Sequence, residues 1–205
     1  MEVTMRFLFL PYVIIFVLWL NYEIKKSHKK TKNRNERFWA LEHKANGVRK
    51  QDISTLDYIN IPMNQLPFQI KDDKQLLEYQ ETILSLKEEK ILNLQDKTNT
   101  DLKLLYGVGN LNFLTQCDSN FATLLRTIYL WGNRLAELDY TKEAIALLEY
   151  GVTLQTDLKK HYDLLGSLYV KTNQLGKIPP LIEKADKLTS IMKPSIVASL
   201  QKLLS

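Results

Sequence analysis

The 205-residue sequence has little of what most catalytic and metal-binding sites require. Its single cysteine, Cys117, has no partner for an internal disulfide, and we interpret it as a small buried hydrophobic side chain. The three histidines, His28, His43 and His161, are too widely spaced to form a zinc motif. Gly-rich phosphate loops and nucleophile elbows are missing from the sequence as well. We therefore expect no enzymatic activity, no metal and no cofactor.

Glycine and proline are also scarce, at seven and six residues. Because these residues interrupt regular structure, their scarcity argues against long loops and low-complexity segments. The hydrophobic content of 45% is sufficient for a domain with a real core. Apolar residues recur mostly at helical spacing, so the sequence predicts an all-α fold.

The excess of positive over negative side chains is confined to one part of the chain. Residues 21–50 carry ten Lys or Arg and three Asp or Glu, a balance of +7. Residues 51–205 have a balance of −2. A mildly acidic folded part argues against a nucleic-acid-binding domain, so we expect no nucleic-acid partner.

Only the amino-terminal region contains a long hydrophobic run. Phe7 to Leu20 is fourteen residues without a charge, whereas a transmembrane helix needs about 20 and at least about 17. Trp19 and Tyr22 at the headgroups would extend the run enough to cross. We interpret residues 1–24 as a transmembrane anchor that contacts the membrane through residues 5–22. The alternative is the hydrophobic region of a signal peptide, but no cleavage site of small residues follows it.

The basic cluster follows the apolar run, so the positive-inside rule predicts that the amino terminus faces out. The chain would then be a single-pass protein of the cell membrane with a cytoplasmic carboxy-terminal domain. Its short anchor suits a bacterium. Two interpretations of the cluster remain open: its lysines fix the topology, or they also bind acidic lipid headgroups. The lysines in question are Lys25, Lys26, Lys29 and Lys30.

Residues 25–70 read as a basic juxtamembrane segment, a helix over 36–50 and an extended, proline-containing stretch. This stretch is too apolar for a flexible linker. We expect it to pack against the helical domain or to await a partner. The longest helical pattern then covers 72–95, where Asp72 and Asp73 suit the positive end of a helix. A further helix over 101–116 is weakened by Gly107 and Gly109.

Two segments repeat each other at a fixed offset in the carboxy-terminal part. Ile128-(x2)-Trp131-Gly132-(x2)-Leu135 is matched by Tyr162-(x2)-Leu165-Gly166-(x2)-Tyr169, and each pair is 34 residues apart. This period and spacing are typical of helix–turn–helix repeats. Here the chain resembles the tetratricopeptide repeat family. The resemblance implies that residues 71–205 are a helical domain with repeats over about 125–157 and 159–189 and a capping helix over 194–204.

The resemblance also implies which residues pack the helices together. Small residues let two backbones approach and large ones fill the remaining space. We expect the two glycines, 132 and 166, to mark equivalent helix crossings. The second repeat departs from the family, because Ile178 replaces a small residue and Pro179-Pro180 shortens the second helix. The expected packing residues are Trp131, Gly132, Ala144, Leu148, Gly151, Leu165, Gly166, Tyr169 and Ala185.

Family members present a concave surface lined by the first helix of each repeat. Some hold a peptide's terminal carboxylate there, but only Asn133 and Lys160 match that clamp. We therefore expect a membrane-anchored scaffold that binds a protein or peptide. The alternatives are a structural homo-oligomer, with a homodimer through the 72–95 helix, and a lipid-surface sensor acting through residues 25–37. The matching groove positions are Arg126, Tyr129, Asn133, Glu137, Lys160, Asp163, Ser167 and Lys171.

Overall fold

The computed structural model describes residues 2–71 and 73–204, with side chains from Pro11 onward. Helices and turns make up these residues and no strand occurs among them, which confirms the predicted all-α class. Asp72 lies outside the described residues. The α-helices are α1 (Glu2–Asn46), α2 (Lys74–Leu86), α3 (Asn99–Tyr106), α4 (Leu111–Glu137), α5 (Thr141–Thr153), α6 (Lys159–Lys171), α7 (Ile178–Asp186) and α8 (Lys193–Gln201). Short 3-10 helices cover Met63–Gln65, Val108–Asn110 and Leu175–Lys177.

The chain forms two compact units. The first consists of Asn99–Asn110 and the chain up to Gln51. The second consists of Asp52–Thr98 and the chain from Leu111 on. Each unit is described by itself.

In the first unit, the end of α1 packs against α3. Ala45 and Leu102 are buried between them. Glu42 accepts hydrogen bonds from the Thr100 hydroxyl and, at 2.7 Å, from the Lys103 ammonium. The Lys103 ammonium and the Thr100 hydroxyl together hold the pKa of the Glu42 carboxyl below its usual value. A partly buried polar cluster therefore fastens α3 to α1.

A glycine after α3 is required by the backbone. Gly107 has φ 82°, and a Cβ built there would overlap the backbone of Arg49 and Lys50. The sequence predicted one weakened helix over 101–116. The structure instead ends α3 at Tyr106 and begins α4 at Leu111. The α-helical structure is therefore fully interrupted at Gly107, and α4 continues without interruption into the repeat region.

The second unit is built around α4. Helices α2 and α5 pack along α4, α6 packs against α5, and α8 lies against both α6 and α7. Trp131 and Leu135 of α4 are fully buried in the shared core. Asp73 caps α2 by accepting hydrogen bonds from the backbone N–H groups of Gln75 and Leu76, as expected for an acidic residue at a helix start.

The predicted 72–95 helix is too long. Helix α2 ends at Leu86, and the chain then turns and runs beside α4 without helical structure. The Leu92 N–H donates to the Cys117 carbonyl at 3.3 Å, and the Leu94 N–H donates to the Asp118 carboxylate at 3.2 Å. These hydrogen bonds to α4 pair the backbone N–H groups of the segment. The apolar side chains that produced the helical pattern are buried there.

The extended stretch before α2 packs against the second unit, which confirms one of its two expected roles. Ile59, Ile61 and Met63 are partly buried against the core, and Leu66 is buried in it. The Phe68 ring lies 5.3 Å from the Trp131 ring, between centroids. Aromatic pairs at this distance stabilise a fold beyond the area they bury. The stretch is therefore part of the domain.

Candidate partner-binding surfaces

Helices α4, α5 and α6 all end in the same way, so this helix end is not specific to the 34-residue period. After α5, Gln155 has φ 59°, and the Thr156 N–H donates to the Gly151 carbonyl at 3.4 Å. Asp139 and Asn173, which are 34 residues apart, both adopt the left-handed conformation, with φ of 63° and 57°. Each follows its helix as the C′ residue of a Schellman motif. The same hydrogen bonds close both motifs, Tyr140 N–H to Leu135 O at 2.9 Å and Gln174 N–H to Tyr169 O at 2.7 Å.

The two repeat glycines have different neighbours. A Cβ at Gly132 would touch Leu148 of α5, the expected partner helix, at 3.0 Å. A Cβ at Gly166 would instead meet Leu200 of α8 and Leu203, which lies just after α8. The prediction of equivalent crossings is therefore wrong for the second glycine. Ile178 explains the difference, because a large residue where a small one is needed prevents close approach of α7, and α8 takes that place.

The other expected packing residues are in the core. Gly151 of α5 lies against the His161 ring of α6, where a Cβ would overlap the ring. This contact brings the two helices close together. The remaining residues of the set are buried in one shared core: Trp131, Ala144, Leu148, Leu165, Tyr169 and Ala185.

His161 is the only histidine that is buried among the described residues. Its Nε2 lies 2.7 Å from the Leu148 carbonyl, so the neutral ring donates from Nε2, and Nδ1 has no partner within the described part of the chain. Burial lowers the pKa of His161 to about 4, although the hydrogen bond to Leu148 acts in the other direction. The imidazole is therefore neutral at physiological pH and acts as a packing group.

The predicted groove residues lie along the outward sides of α4 and α6. Arg126 and Glu137 on α4 are exposed, and Tyr129 and Asn133 are partly exposed. On α6, Lys160, Ser167 and Lys171 are exposed and Asp163 is partly exposed. We call these eight residues the α4–α6 face.

Four polar contacts organise the α4–α6 face. The Asn133 amide donates to Glu137 at 2.7 Å, and Lys171 forms an ion pair with Asp139 at 3.2 Å. The second contact places the ends of α4 and α6 next to each other. Asp163 accepts hydrogen bonds from Lys159 and from the Ser199 hydroxyl of α8. Asp163 therefore already accepts hydrogen bonds from its own chain, whereas most residues of the face are exposed.

The basic cluster and the apolar run lie on α1. Every side chain from Pro11 to Leu41 is exposed, including the four lysines 25, 26, 29 and 30. Lys26 pairs with Glu23 at 3.6 Å, and its ammonium lies 6.0 Å from the Tyr22 ring centroid. Within the described residues, no helix combines the length and apolar character needed to cross a membrane.

A cavity that the sequence did not predict lies on another side of the second unit. It has a volume of about 640 Å³ and is formed by α5, α6, α7 and the segment around Pro62. Glu149 is its central polar group. This carboxylate accepts from Tyr169 Oη and Lys177 Nζ, both at 2.8 Å. We call this the Glu149 cavity.

The charged side chains of the Glu149 cavity act on that carboxylate. Burial opposes its ionisation, but Lys177 and Tyr169 outweigh this effect, so the pKa of Glu149 lies below its usual value. Lys184 adds a second positive charge nearby, and Lys177 also lies 5.3 Å from the Tyr169 ring centroid. No local motif unites these residues, because they come from three helices and a turn.

Metal-binding geometry is absent from the described part of the chain, where no group of three or more His, Cys, Asp or Glu side chains is close enough to hold an ion. Comparison with known proteins returned no family model, no curated protein and no solved structure that matches the chain.

Proposed function

We propose that the chain is a protein-interaction scaffold of the tetratricopeptide-like type, held at a membrane by its amino-terminal helix. The matched residues of α4 and α6 support this proposal most strongly, because Trp131 and Leu165, and likewise Leu135 and Tyr169, are 34 residues apart and buried in one core. Lys171 of α6 pairs at 3.2 Å with Asp139, which follows α4, so the ends of the two helices adjoin. Their outward residues would then form one surface. Helical repeats use such surfaces to bind extended segments of other proteins.

The proposed anchor is the apolar part of α1, with the amino terminus outside and the rest of the chain in the cytoplasm. Consecutive apolar side chains from Tyr12 to Leu20 are exposed and point to all sides of the helix. A helix that is apolar on all sides is typically buried in a protein or in a bilayer. The lysines that follow would lie at the headgroups of the inner leaflet. Confinement to the membrane would raise the local concentration of partners there.

Proximity labelling from intact membranes tests the proposal. The full-length chain carries the labelling enzyme and is compared with Arg126→Ala/Lys160→Ala and with a control, Lys142→Ala/Lys187→Ala, that removes the same charge elsewhere. We expect a defined set of labelled proteins that the control retains and the first variant loses. Identical labelling by both variants would contradict a role for the α4–α6 face.

A further inference from the structure

The Glu149 cavity combines an apolar interior with an excess of positive charge. Val152, Leu165 and Leu181 supply apolar lining, and Pro62 and Pro180 add to it. The charged lining residues are Lys177, Lys184 and Glu149, so the cations outnumber the carboxylate. Concave sites with apolar walls and a few convergent polar groups are typical ligand sites.

Lys184 is the cation available to a ligand. It is exposed at the cavity, and its ammonium forms no hydrogen bond or ion pair with any described residue, although its charge helps to lower the pKa of Glu149. Lys177, by contrast, is already bonded to Glu149 at 2.8 Å, and that carboxylate also holds the Tyr169 hydroxyl. Glu149 therefore fixes Lys177 beside the cavity and leaves the Lys184 ammonium without a direct partner among the described residues.

We propose that the Glu149 cavity binds a peptide segment of a partner protein in which a carboxylate adjoins an apolar side chain. The carboxylate would pair with Lys184 beside the fixed Lys177, and the apolar side chain would lie against Pro62 and Pro180, which are accessible at the cavity. Charge complementarity selects this occupant, because a cationic segment would meet two lysines. An extended segment of this chain, around Pro62, already borders the same cavity. This proposal rests on the proposed scaffold function and assigns it a second surface.

A selection from a random nonapeptide library tests the proposal. The library is displayed on phage and selected on the full-length chain in nanodiscs, and the recovered pool is then tested on two variants. Lys184→Gln removes the unpaired charge, and Lys187→Gln removes an equal charge from an exposed residue outside the cavity. Both positions are exposed, so neither variant disturbs the core.

We expect the pool to be rich in peptides with Asp or Glu beside an apolar residue. Loss of one charge-assisted contact should weaken binding to Lys184→Gln by about tenfold or more, while Lys187→Gln binds normally. Replacement of the peptide's Glu by Gln should have a similar effect.

Three results would overturn the proposal: no recovered pool, a pool without acidic residues, or equal binding to both variants. A pool that is lost with Arg126→Ala/Lys160→Ala and kept by Lys184→Gln removes the cavity proposal alone. The scaffold function would then stand, with the α4–α6 face as its binding surface.

Discussion

The contact between Gly151 and His161 sets the distance between α5 and α6. Gly151→Ala places a methyl group where the imidazole lies, and overpacking of this kind costs about 1–3 kcal/mol. The gain in helix propensity, about 1 kcal/mol, offsets only part of this cost. We expect a lower free energy of unfolding in chemical denaturation. Gly176→Ala is the control, because no atom lies within 4 Å of its Cβ position, and a similar loss in both variants would contradict the assigned contact.

His161 predicts how stability depends on pH. Its folded pKa of about 4 lies below the usual value of 6.5, so the unfolded chain binds the proton more readily. The stabilising effect of a neutral His161 is complete above pH 6.5 and declines as the pH falls toward 4. Over that window the free energy of unfolding should fall by about 3 kcal/mol from this residue.

His161→Gln isolates the contribution of the imidazole, because it keeps an N–H donor and does not titrate. Urea unfolding at pH 7, 5.5 and 4.5 should show a steeper decline for the wild type than for the variant. Parallel declines would mean that other groups, such as carboxylates, account for the loss.

At the scale of helices, α8 is the predicted capping helix, and it lies at Gly166 where α7 was expected. Leu200 of α8 is fully buried and contacts the Gly166 position. Truncation of such a leucine to alanine typically costs about 2–5 kcal/mol. We therefore expect Leu200→Ala to lower the free energy of unfolding by this amount, whereas Leu204→Ala, at a half-exposed position, should change it by less than about 0.5 kcal/mol. Near-equal effects would mean that α8 does not cover α6.

Helix ends with local causes were predictable from the sequence. The sequence placed a shortened helix at Pro179-Pro180 and a capping helix at 194–204, and α7 begins at Ile178 and α8 at Lys193. The non-helical course after α2 was not predictable, because its Leu92 and Leu94 N–H groups donate to the Cys117 carbonyl and the Asp118 carboxylate, which are distant in sequence. Local periodicity does not carry such information.

The two candidate sites also differ in whether the sequence could identify them. The residues of the α4–α6 face follow from a 34-residue offset on two similar helices, so the sequence identified them. The Glu149 cavity has no comparable spacing. Its charged residues, Glu149, Lys177 and Lys184, come from a helix, a turn and another helix, and only the packing of α5, α6 and α7 brings them together.

At the scale of the whole molecule, α1 predicts how the chain partitions. Deletion of residues 1–24 removes the apolar part of the helix and keeps the basic cluster. We expect the full-length chain to stay in the membrane fraction after an alkaline carbonate wash, because buried apolar area is unaffected by pH. The shortened chain should be released. Release of the full-length chain would contradict an integrated anchor and favour a surface attachment through the lysines.

Site-specific photocrosslinking in intact membranes tests the scaffold function most directly. A photoreactive amino acid replaces Ser167, which is exposed on the α4–α6 face, or Glu81, which is exposed on α2. We predict discrete crosslinked species from position 167 that are absent from position 81 and disappear with Arg126→Ala/Lys160→Ala. The same species from both positions, or none from position 167, would contradict the scaffold function.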